Sequence, residues 1–185
     1  MRPEMAARRK RQAGFTLIEL IIATAIGALV MGALGSLVVT SMIAVNTANA
    51  RIETSTQVRN FQFAAADDVA LARAPAPGGC GTPVSPCTTE DLVLQGSRVP
   101  NQDTGIAAPY TIRYAWDPNR KVVTRYTGTS SRVTSTNVTA YSWYIERGGS
   151  VPSVVVSMTV TVAAYDTVYS ESQTFRFNAE VTSSP

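Results

Sequence analysis

The sequence has no histidine, only two cysteines and only two lysines in its 185 residues. Without histidine, the chain has no Ser-His-Asp catalytic arrangement and none of the zinc sites that use histidine ligands. No glycine-rich segment followed by lysine indicates a phosphate-binding loop. These absences predict a protein that is not an enzyme and that carries no cofactor.

Adjacent carboxylates occur at Asp67-Asp68 and at Glu90-Asp91. Neighbouring side chains point apart on a helix and on a strand, so such pairs do not form an acid-base dyad. We therefore expect all four carboxylates to be solvated.

Between Phe15 and Val45 proline is absent and charge is almost absent. These 31 residues contain no proline and one ionisable side chain, Glu19. As an α-helix they would span about 46 Å, at 1.5 Å per residue. The hydrocarbon core of a bilayer is only about 30 Å thick. We predict a membrane-spanning helix, residues 15–45, whose excess length packs against other helices.

Residues 1–14 form a short basic leader. Its basic residues are Arg2, Arg8, Arg9, Lys10 and Arg11, and its one acid is Glu4. Positive charge beside a membrane helix favours the cytoplasmic side, so we expect the rest of the chain to lie outside. Taking these five basic residues and one acidic residue from the totals of 16 and 13 leaves 11 and 12. The chain without its leader is not basic, and its net charge does not indicate DNA binding.

Two simpler kinds of segment explain this amino end less well. A secretory signal peptide has an apolar region of about 7 to 15 residues, which is much shorter than the run observed here. A simple membrane anchor leaves Glu19 unexplained, because a charge at membrane depth costs about 2.5 to 3.5 kcal/mol on insertion scales. Such a carboxylate normally has a partner.

Cleavage after Gly14 would create a cationic amino group on Phe15, four residues before Glu19. A neighbouring subunit's amino group can then pair with the Glu19 carboxylate. At about 4 Å and an effective dielectric constant near 20, this pair is worth roughly 4 kcal/mol before desolvation. That energy matches the cost of placing Glu19 in lipid, so we predict that association with other subunits relieves it.

The basic leader, Gly14-Phe15, the run from Thr16 to Leu20 and the apolar helix together resemble the amino end of a type IV prepilin or pseudopilin. The resemblance implies cleavage between Gly14 and Phe15 by the inner-membrane prepilin peptidase and N-methylation of Phe15. It implies that Glu19 neutralises the neighbour's amino terminus. It also implies a bacterial inner-membrane location, contact with the inner-membrane assembly platform, and assembly with other pilin or pseudopilin subunits into a pilus or pseudopilus.

The helix is predicted to continue as an amphipathic segment, residues 46–74. Its apolar stripe is Ala48, Ile52, Ser55, Val58, Phe61, Ala65, Val69 and Ala72. This spacing of three and four residues is typical of a helix that lies on a globular domain. Arg51, Glu53, Arg59 and Asp67 are expected on the solvent side. Prolines and glycines at 75–79 end the helix, which we place from Phe15 to about Arg73.

Residues 75–91 form a loop that contains Cys80 and Cys87. Outside the cytoplasm, two cysteines most simply form a disulfide. Closing this loop stabilises the fold by about 2.5 kcal/mol on the chain-entropy model. A metal site is the alternative, but the chain offers no histidine and no further cysteine as ligands.

Residues 92–185 predict β-strands. Alternating patterns indicate strands at 111–116 and 122–126, which form a hairpin through the turn 117–120, and at 137–147, 153–164 and 172–182. We expect a mainly antiparallel sheet of four or five strands on the second half of the helix. This α+β arrangement is similar to pilin-like folds, and its order of elements most resembles PilW-like minor pilins and J-type pseudopilins.

The predicted function is that of a structural subunit, a minor pilin or pseudopilin. The alternative is a DNA-uptake or adhesion pilin with Arg120, Lys121, Arg125 and Arg132 as ligand contacts. A stacking platform for single-stranded nucleic acid would use the aromatic residues Tyr110, Tyr114, Trp116, Tyr126, Tyr141, Trp143 and Tyr144. Alternation places most of them on one face of the strands, which favours a sheet core instead.

Overall fold

The structure is a computed structural model that describes residues 14–73, 79–98, 108–148, 151–165 and 167–179. The chain divides into two compact units, Met1–Ala44 and Val45–Pro185. Helix α1 (Leu17–Ala70) begins in the first unit and ends in the second. It is the one helix in the described part of the chain that is long and apolar enough to cross a membrane.

In the first unit, the described residues are helical from Leu17 onwards, and almost all are exposed. Large apolar side chains such as Leu29 and Met31 are 76% and 73% exposed. Soluble monomers rarely expose such a continuous apolar surface, so this unit requires lipid or other helices around it.

The described residues of the second unit form eight strands in two antiparallel sheets. The first sheet has the order β1-β2-β3-β4-β5 and the second has the order β6-β7-β8. The strands are β1 (Ala72–Arg73), β2 (Leu92–Arg98), β3 (Ala108–Asp117), β4 (Val122–Thr127), β5 (Ser130–Ser135), β6 (Val138–Glu146), β7 (Ser153–Ala164) and β8 (Thr167–Asn178). The α+β class is confirmed, and the strands divide between two sheets where the sequence predicted one.

The predicted hairpin is confirmed as β3 and β4, joined by a turn in which Asp117 Oδ1 accepts the Asn119 and Arg120 N–H groups at 2.9 and 3.0 Å. Strand β7 has the predicted bounds. The last strand starts earlier than predicted, because Thr167 already pairs with Ala164 across a short turn. The end of the predicted range, residues 180–182, lies outside the described residues.

Helix α1 ends at Ala70, three residues before the predicted end, because Ala72 and Arg73 pair with Gly96 and Gln95 as strand β1. Its buried stripe also differs from the predicted one. The buried helix residues are Ala50, Thr54, Val58, Phe61, Ala65, Asp68 and Val69.

The predicted Ile52 is 65% exposed, and Ala48 is exposed too. In the predicted stripe, Ile52, Ser55, Val58 and Phe61 follow each other at three successive intervals of three residues. Each such step falls about 60° short of a full turn, so the three together rotate the stripe by about 180°. Ile52 therefore lies on the face opposite Phe61.

Phe61 lies at the centre of the core and is fully buried. Its ring packs against Tyr114 of β3 at 5.5 Å, Tyr141 of β6 at 6.0 Å and Phe175 of β8 at 5.7 Å between centroids. The first ring belongs to the first sheet and the other two to the second. One helix residue thus contacts both sheets.

Hydrogen bonds fix both flanks of the helix. On one flank, the Gln57 carbonyl accepts from Ser135 Oγ at 3.1 Å and Glu53 Oε1 accepts from Asn137 Nδ2 at 2.9 Å. On the other flank, Ser55 Oγ donates to Glu171 Oε2 of β8 at 2.7 Å. The second half of α1 therefore lies between the end of the first sheet and the edge of the second.

Asp68 is buried, contrary to the prediction that it is solvated; it is 8% exposed. Arg125 donates to both of its carboxylate oxygens, Nε at 2.5 Å and Nη2 at 2.7 Å, and the Tyr114 hydroxyl donates at 2.5 Å. Burial, with the Asp68 hydrogen bond, raises the pKa of Tyr114, and the bond to Asp68 raises the pKa of Arg125. This group attaches the end of α1 to β3 and β4.

The other three carboxylates are more accessible. Asp67 and Glu90 are exposed, as predicted. Asp91 is half-buried, and its Oδ2 forms an ion pair with Arg113 Nη1 at 2.9 Å.

The disulfide between Cys80 and Cys87 is formed, as predicted. Its loop is attached to β6, because Cys87 and Trp143 exchange two backbone hydrogen bonds of 2.8 and 2.9 Å. Gly81 is required there: its φ is 91°, and a Cβ atom would lie 3.1 Å from the Trp143 ring. Glu90 lies within 4.8 Å of both sulfur atoms, but the disulfide leaves no thiolate for the alternative metal site at these residues.

Alkaline pH should unfold the second unit through its buried tyrosines. Burial raises the pKa of Tyr114 and of Tyr141 above 10.0. Below pH 10 both tyrosines are protonated in the folded and unfolded chains. Above pH 10 only the unfolded chain loses these protons. The free energy of unfolding should therefore fall by about 1.4 kcal/mol per pH unit for each tyrosine.

Replacing Tyr141 with Phe should remove one of these two contributions. The Tyr141 hydroxyl has no hydrogen-bond partner among the described residues, so Tyr141→Phe should not lower the stability at pH 7. Urea unfolding of the full chain in detergent at pH 7 and above pH 10 measures both effects. The control is Tyr165→Phe, at a position 81% exposed. An unchanged alkaline slope in Tyr141→Phe would contradict the prediction.

Candidate functional site

Helix α1 begins at Leu17, two residues after the predicted start at Phe15. The Thr16 carbonyl accepts the N–H groups of Glu19 and Leu20 at 3.1 and 3.2 Å, and the Thr16 hydroxyl lies 3.4 Å from the Glu19 N–H. Thr16 is therefore the N-cap residue. Gly14 and Phe15 precede the helix in an exposed, non-helical segment, with Phe15 83% exposed.

Glu19 occupies the third position of the first helical turn, where its negative charge lies near unpaired backbone N–H groups. This placement stabilises a helix by about 0.3 to 1 kcal/mol. Threonine at the N-cap with glutamate three residues later is also the sequence pattern of a capping box, but among the described residues the Glu19 carboxylate accepts no hydrogen bond from the Thr16 N–H. Sequence reasoning missed the position of Glu19 in the first helical turn, although the Thr16-to-Glu19 spacing was its signal.

The Glu19 carboxylate has no ion-pair or hydrogen-bond partner among the residues that the structure describes. The side chains around it are apolar and open: Leu17 is 77% exposed, Ile18 67% and Leu20 60%. A charged carboxylate in this setting is costly once lipid or other helices cover the surface, unless a cation pairs with it.

The four basic residues of the alternative ligand site do not form one cluster. Arg125 is engaged by Asp68. Arg120 and Lys121 are exposed in the β3–β4 turn, and Arg132 is exposed on β5 opposite Arg125. Since Lys121 lies four residues before Arg125 in the chain, these positions are about 13 Å apart along the strand.

The aromatic residues mostly form the core, as the favoured interpretation predicted. Tyr114, Tyr141 and Trp143 are buried. Trp116 packs against this core, and the Tyr110 side chain lies outside the described residues. A stacking platform therefore lacks most of the rings proposed for it.

A groove of about 580 Å³ crosses the outer face of the first sheet. Arg113 lies over the Tyr126 ring in this groove, 4.2 Å from its centroid. The same guanidinium is neutralised by Asp91, so the groove offers no unpaired cation at this position. Its other lining residues are Val93, Pro109, Thr111, Thr127 and Gly128.

Residues 9–35 match a family model described as the prokaryotic N-terminal methylation motif. The matched range contains Gly14, Phe15, the capping residue Thr16, Glu19 and the apolar first part of α1. No curated protein and no solved structure matches the chain. The resemblance to type IV pilins and pseudopilins therefore depends on the motif at the amino end of the chain and on the fold.

Proposed function

We propose that this type IV pilin-like protein is a minor pilin or pseudopilin, a structural subunit of a type IV pilus or of a type II secretion-like filament. The methylation motif at residues 9–35 is the observation that carries the proposal. The motif and the apolar helix indicate membrane anchoring followed by filament assembly, a structural and not a catalytic role. The order of the aromatic hairpin, the Val/Thr strand β7 and the last strand supports a PilW-like or J-type subclass.

The leader faces the cytoplasm and the second unit lies outside in this proposal. The basic residues of positions 1–14 support the first statement, because positive charge is retained on the cytoplasmic side. The Cys80–Cys87 disulfide supports the second, because such bonds persist in oxidising compartments.

Cleavage between Gly14 and Phe15 by the prepilin peptidase is supported by the local backbone. Both residues are exposed and precede the first helical turn, so a protease reaches this peptide bond without unwinding α1. The new amino group would then lie on Phe15, where the family is methylated.

The mature amino terminus tests this step. Mass spectrometry of the protein from filaments or membranes should find a chain that begins at Phe15 with one added methyl group. Gly14→Val should block cleavage, because a branched side chain fills the space beside the cut bond. The matched control is Gly27→Ala, inside the helix where a Cβ atom meets nothing within 4 Å. An intact Met1 would contradict the processing step. A start at Arg51 would contradict it too, because it would indicate signal-peptide cleavage after the small-residue site Ala48-Asn49-Ala50.

Glu19 acts in this proposal through its charge, which pairs with a neighbouring subunit's amino terminus. Glutamine has nearly the same size and helix propensity as glutamate but carries no charge. Glu19→Gln therefore removes the charge and keeps the side-chain volume. Glu19→Ala removes both.

Both Glu19 variants should insert and be cleaved normally but enter filaments at least about tenfold less, since losing about 1.4 kcal/mol of pairing changes an equilibrium tenfold. Immunoblots of sheared filaments and of membranes measure the ratio. Thr16→Ala, which disturbs only the cap, is the control and should assemble. Normal incorporation of Glu19→Gln would contradict the charge pairing, whether or not Glu19→Ala assembles.

The rival function, DNA uptake or adhesion, now depends on Arg120, Lys121 and Arg132 alone. The second unit, residues 45–185, should show no salt-dependent retention of DNA on a filter, and Arg120→Ala with Lys121→Ala should change nothing. Retention that falls steeply with salt and is lost in this double variant would favour the uptake pilin.

A further inference from the structure

The second sheet has one covered edge and one open edge. On the β6 side, the disulfide loop is bonded to the strand: Cys87 and Trp143 exchange two backbone hydrogen bonds, and the Gly81 carbonyl accepts the Ile145 N–H at 3.0 Å. On the other side, β8 pairs with β7 alone in the described part of the chain. The backbone N–H and C=O groups of Thr167–Asn178 that face away from β7 are here called the β8 edge.

The β8 edge has few of the features that keep another strand away. Its 12 residues contain no proline and no lysine, and its pairing with β7 has no bulge. Natural proteins normally protect an open edge with such features or cover it. Of its two charged residues, Arg176 forms an ion pair with Glu146, so the charge that remains is that of Glu171. An open edge of this length is a surface on which an extended segment can add as a further strand.

The first sheet also ends in an open strand. Strand β5 pairs with β4 alone among the described residues. Residues 130–133 are exposed, and helix α1 covers only the end of the strand, where Gln57 contacts Ser135. The backbone groups of residues 130–133 that face away from β4 are here called the β5 edge.

Each open edge carries one charge that has no ion pair. Arg132 lies opposite Arg125 on β4, and like charges opposite each other destabilise a sheet. Asp68 neutralises Arg125, but Arg132 has no ion pair among the residues that the structure describes. Glu171 accepts a hydrogen bond from Ser55 on its Oε2, and it too lacks an ion pair within the described ranges. The β5 edge is therefore positive and the β8 edge negative.

Strand β8 runs in the same direction as helix α1. Ser55 contacts Glu171, and Phe61, further along the helix, contacts Phe175, further along the strand. The Glu171 side chain therefore lies on the face of the sheet that α1 covers.

Strand β5 runs in the opposite direction. Its last residue, Ser135, contacts Gln57, whereas Arg132, earlier in the strand, pairs with Arg125, which binds Asp68 further along the helix. Since directly opposite residues of antiparallel strands share a face, Arg132 lies on the helix-covered side, as Arg125 does.

Two copies in the same orientation can therefore join these edges. The edges lie on opposite flanks of α1, so copies placed side by side bring β5 of one to β8 of the next. With parallel helices the two strands are antiparallel, which is the more stable kind of pairing. If Arg132 lies opposite Glu171 on the helix-covered side, Ser131 lies opposite Ser172 on the other side. This register pairs the two unpaired charges.

We propose that in the filament the β5 edge of one copy of this chain adds to the β8 edge of the next copy as an antiparallel strand, with Arg132 opposite Glu171. The inference rests on the proposed function, because a filament supplies copies in one orientation. The contact joins two different edges, so it repeats from copy to copy. It requires that copies of this chain lie next to each other in the filament.

Disulfide cross-linking in filaments tests the pairing. Ser131 and Ser172 are both exposed, and in the proposed register their Cα atoms are about 4.5 to 5.5 Å apart, which a disulfide can bridge. Filaments of the full chain with Ser131→Cys and Ser172→Cys are oxidised with copper phenanthroline and separated on non-reducing gels. Each copy offers one new cysteine to each neighbour, so dimers and longer multiples should form. The native Cys80 and Cys87 are already bonded to each other.

Ser131→Cys with Thr139→Cys is the matched control. Thr139 is also exposed, but it lies on β6, at the covered edge of the second sheet. This variant should give no more multiples than the unsubstituted chain. Each single cysteine variant should also remain a monomer on the gel, because the two edges of the contact are different.

Exchange of the two charges is a test that needs no cysteine. Arg132→Glu and Glu171→Arg should each lower incorporation into filaments about fivefold, the ratio that corresponds to about 1 kcal/mol. Both changes in one chain should restore incorporation, which would also show that the lost bond to Ser55 is not the cause. Arg120→Glu, at an exposed position in the β3–β4 turn, is the control and should not restore Glu171→Arg.

Four results would overturn the inference. Filaments in which Ser131→Cys with Ser172→Cys cross-links no better than the control would do so and leave the proposed function standing. Dimers of Ser172→Cys alone would do the same, because they would show that two β8 edges pair with each other. No loss in the single charge variants, or no recovery when both charges are exchanged, would contradict the ion pair. Absence of the unsubstituted chain from filaments would overturn both the inference and the proposed function.

Discussion

Packing of the Phe61 ring between two sheets is the constraint on which the second unit depends. The ring touches Tyr114 from one sheet and Tyr141 and Phe175 from the other, and each such aromatic pair contributes about 0.5 to 1.5 kcal/mol beyond area burial. Strands β5 and β6 follow each other in the chain but belong to different sheets. Helix α1 fills the space between the sheets on this side. Its second half is therefore a core element of the second unit, whereas almost all of its residues in the first unit are exposed.

Side-chain periodicity explains why much of this fold could be predicted. Strand β7 alternates Val154, Val156, Met158 and Val160 on the buried face, so its bounds follow from the sequence alone. The β3–β4 hairpin combines the same alternation with a recognisable Asp-Pro-Asn turn. In both cases a local pattern coincides with burial in the final structure, as is expected where local and global preferences agree.

The errors arise where local pattern and tertiary contact diverge. Strand β5 consists of hydroxyl residues with one arginine and one valine, and four of its six residues are exposed, so it carries no apolar alternation. Asp68 finds its partner Arg125 at a sequence separation of 57 residues, which no local signal indicates. For the candidate site, the motif at residues 9–35 contains the Gly14-Phe15 junction and Glu19. Their roles in cleavage and in pairing stay predictions, because both involve a second protein.

Strand β8 determines when the second unit can complete its fold during synthesis. It binds α1 through Glu171 and Ser55, which are 116 residues apart. At about 5 to 20 residues per second, a ribosome needs on the order of ten seconds to synthesise this interval. The helix face that β8 covers is therefore synthesised well before the strand that covers it. A nascent chain halted before β8 would keep that face open to chaperones and proteases.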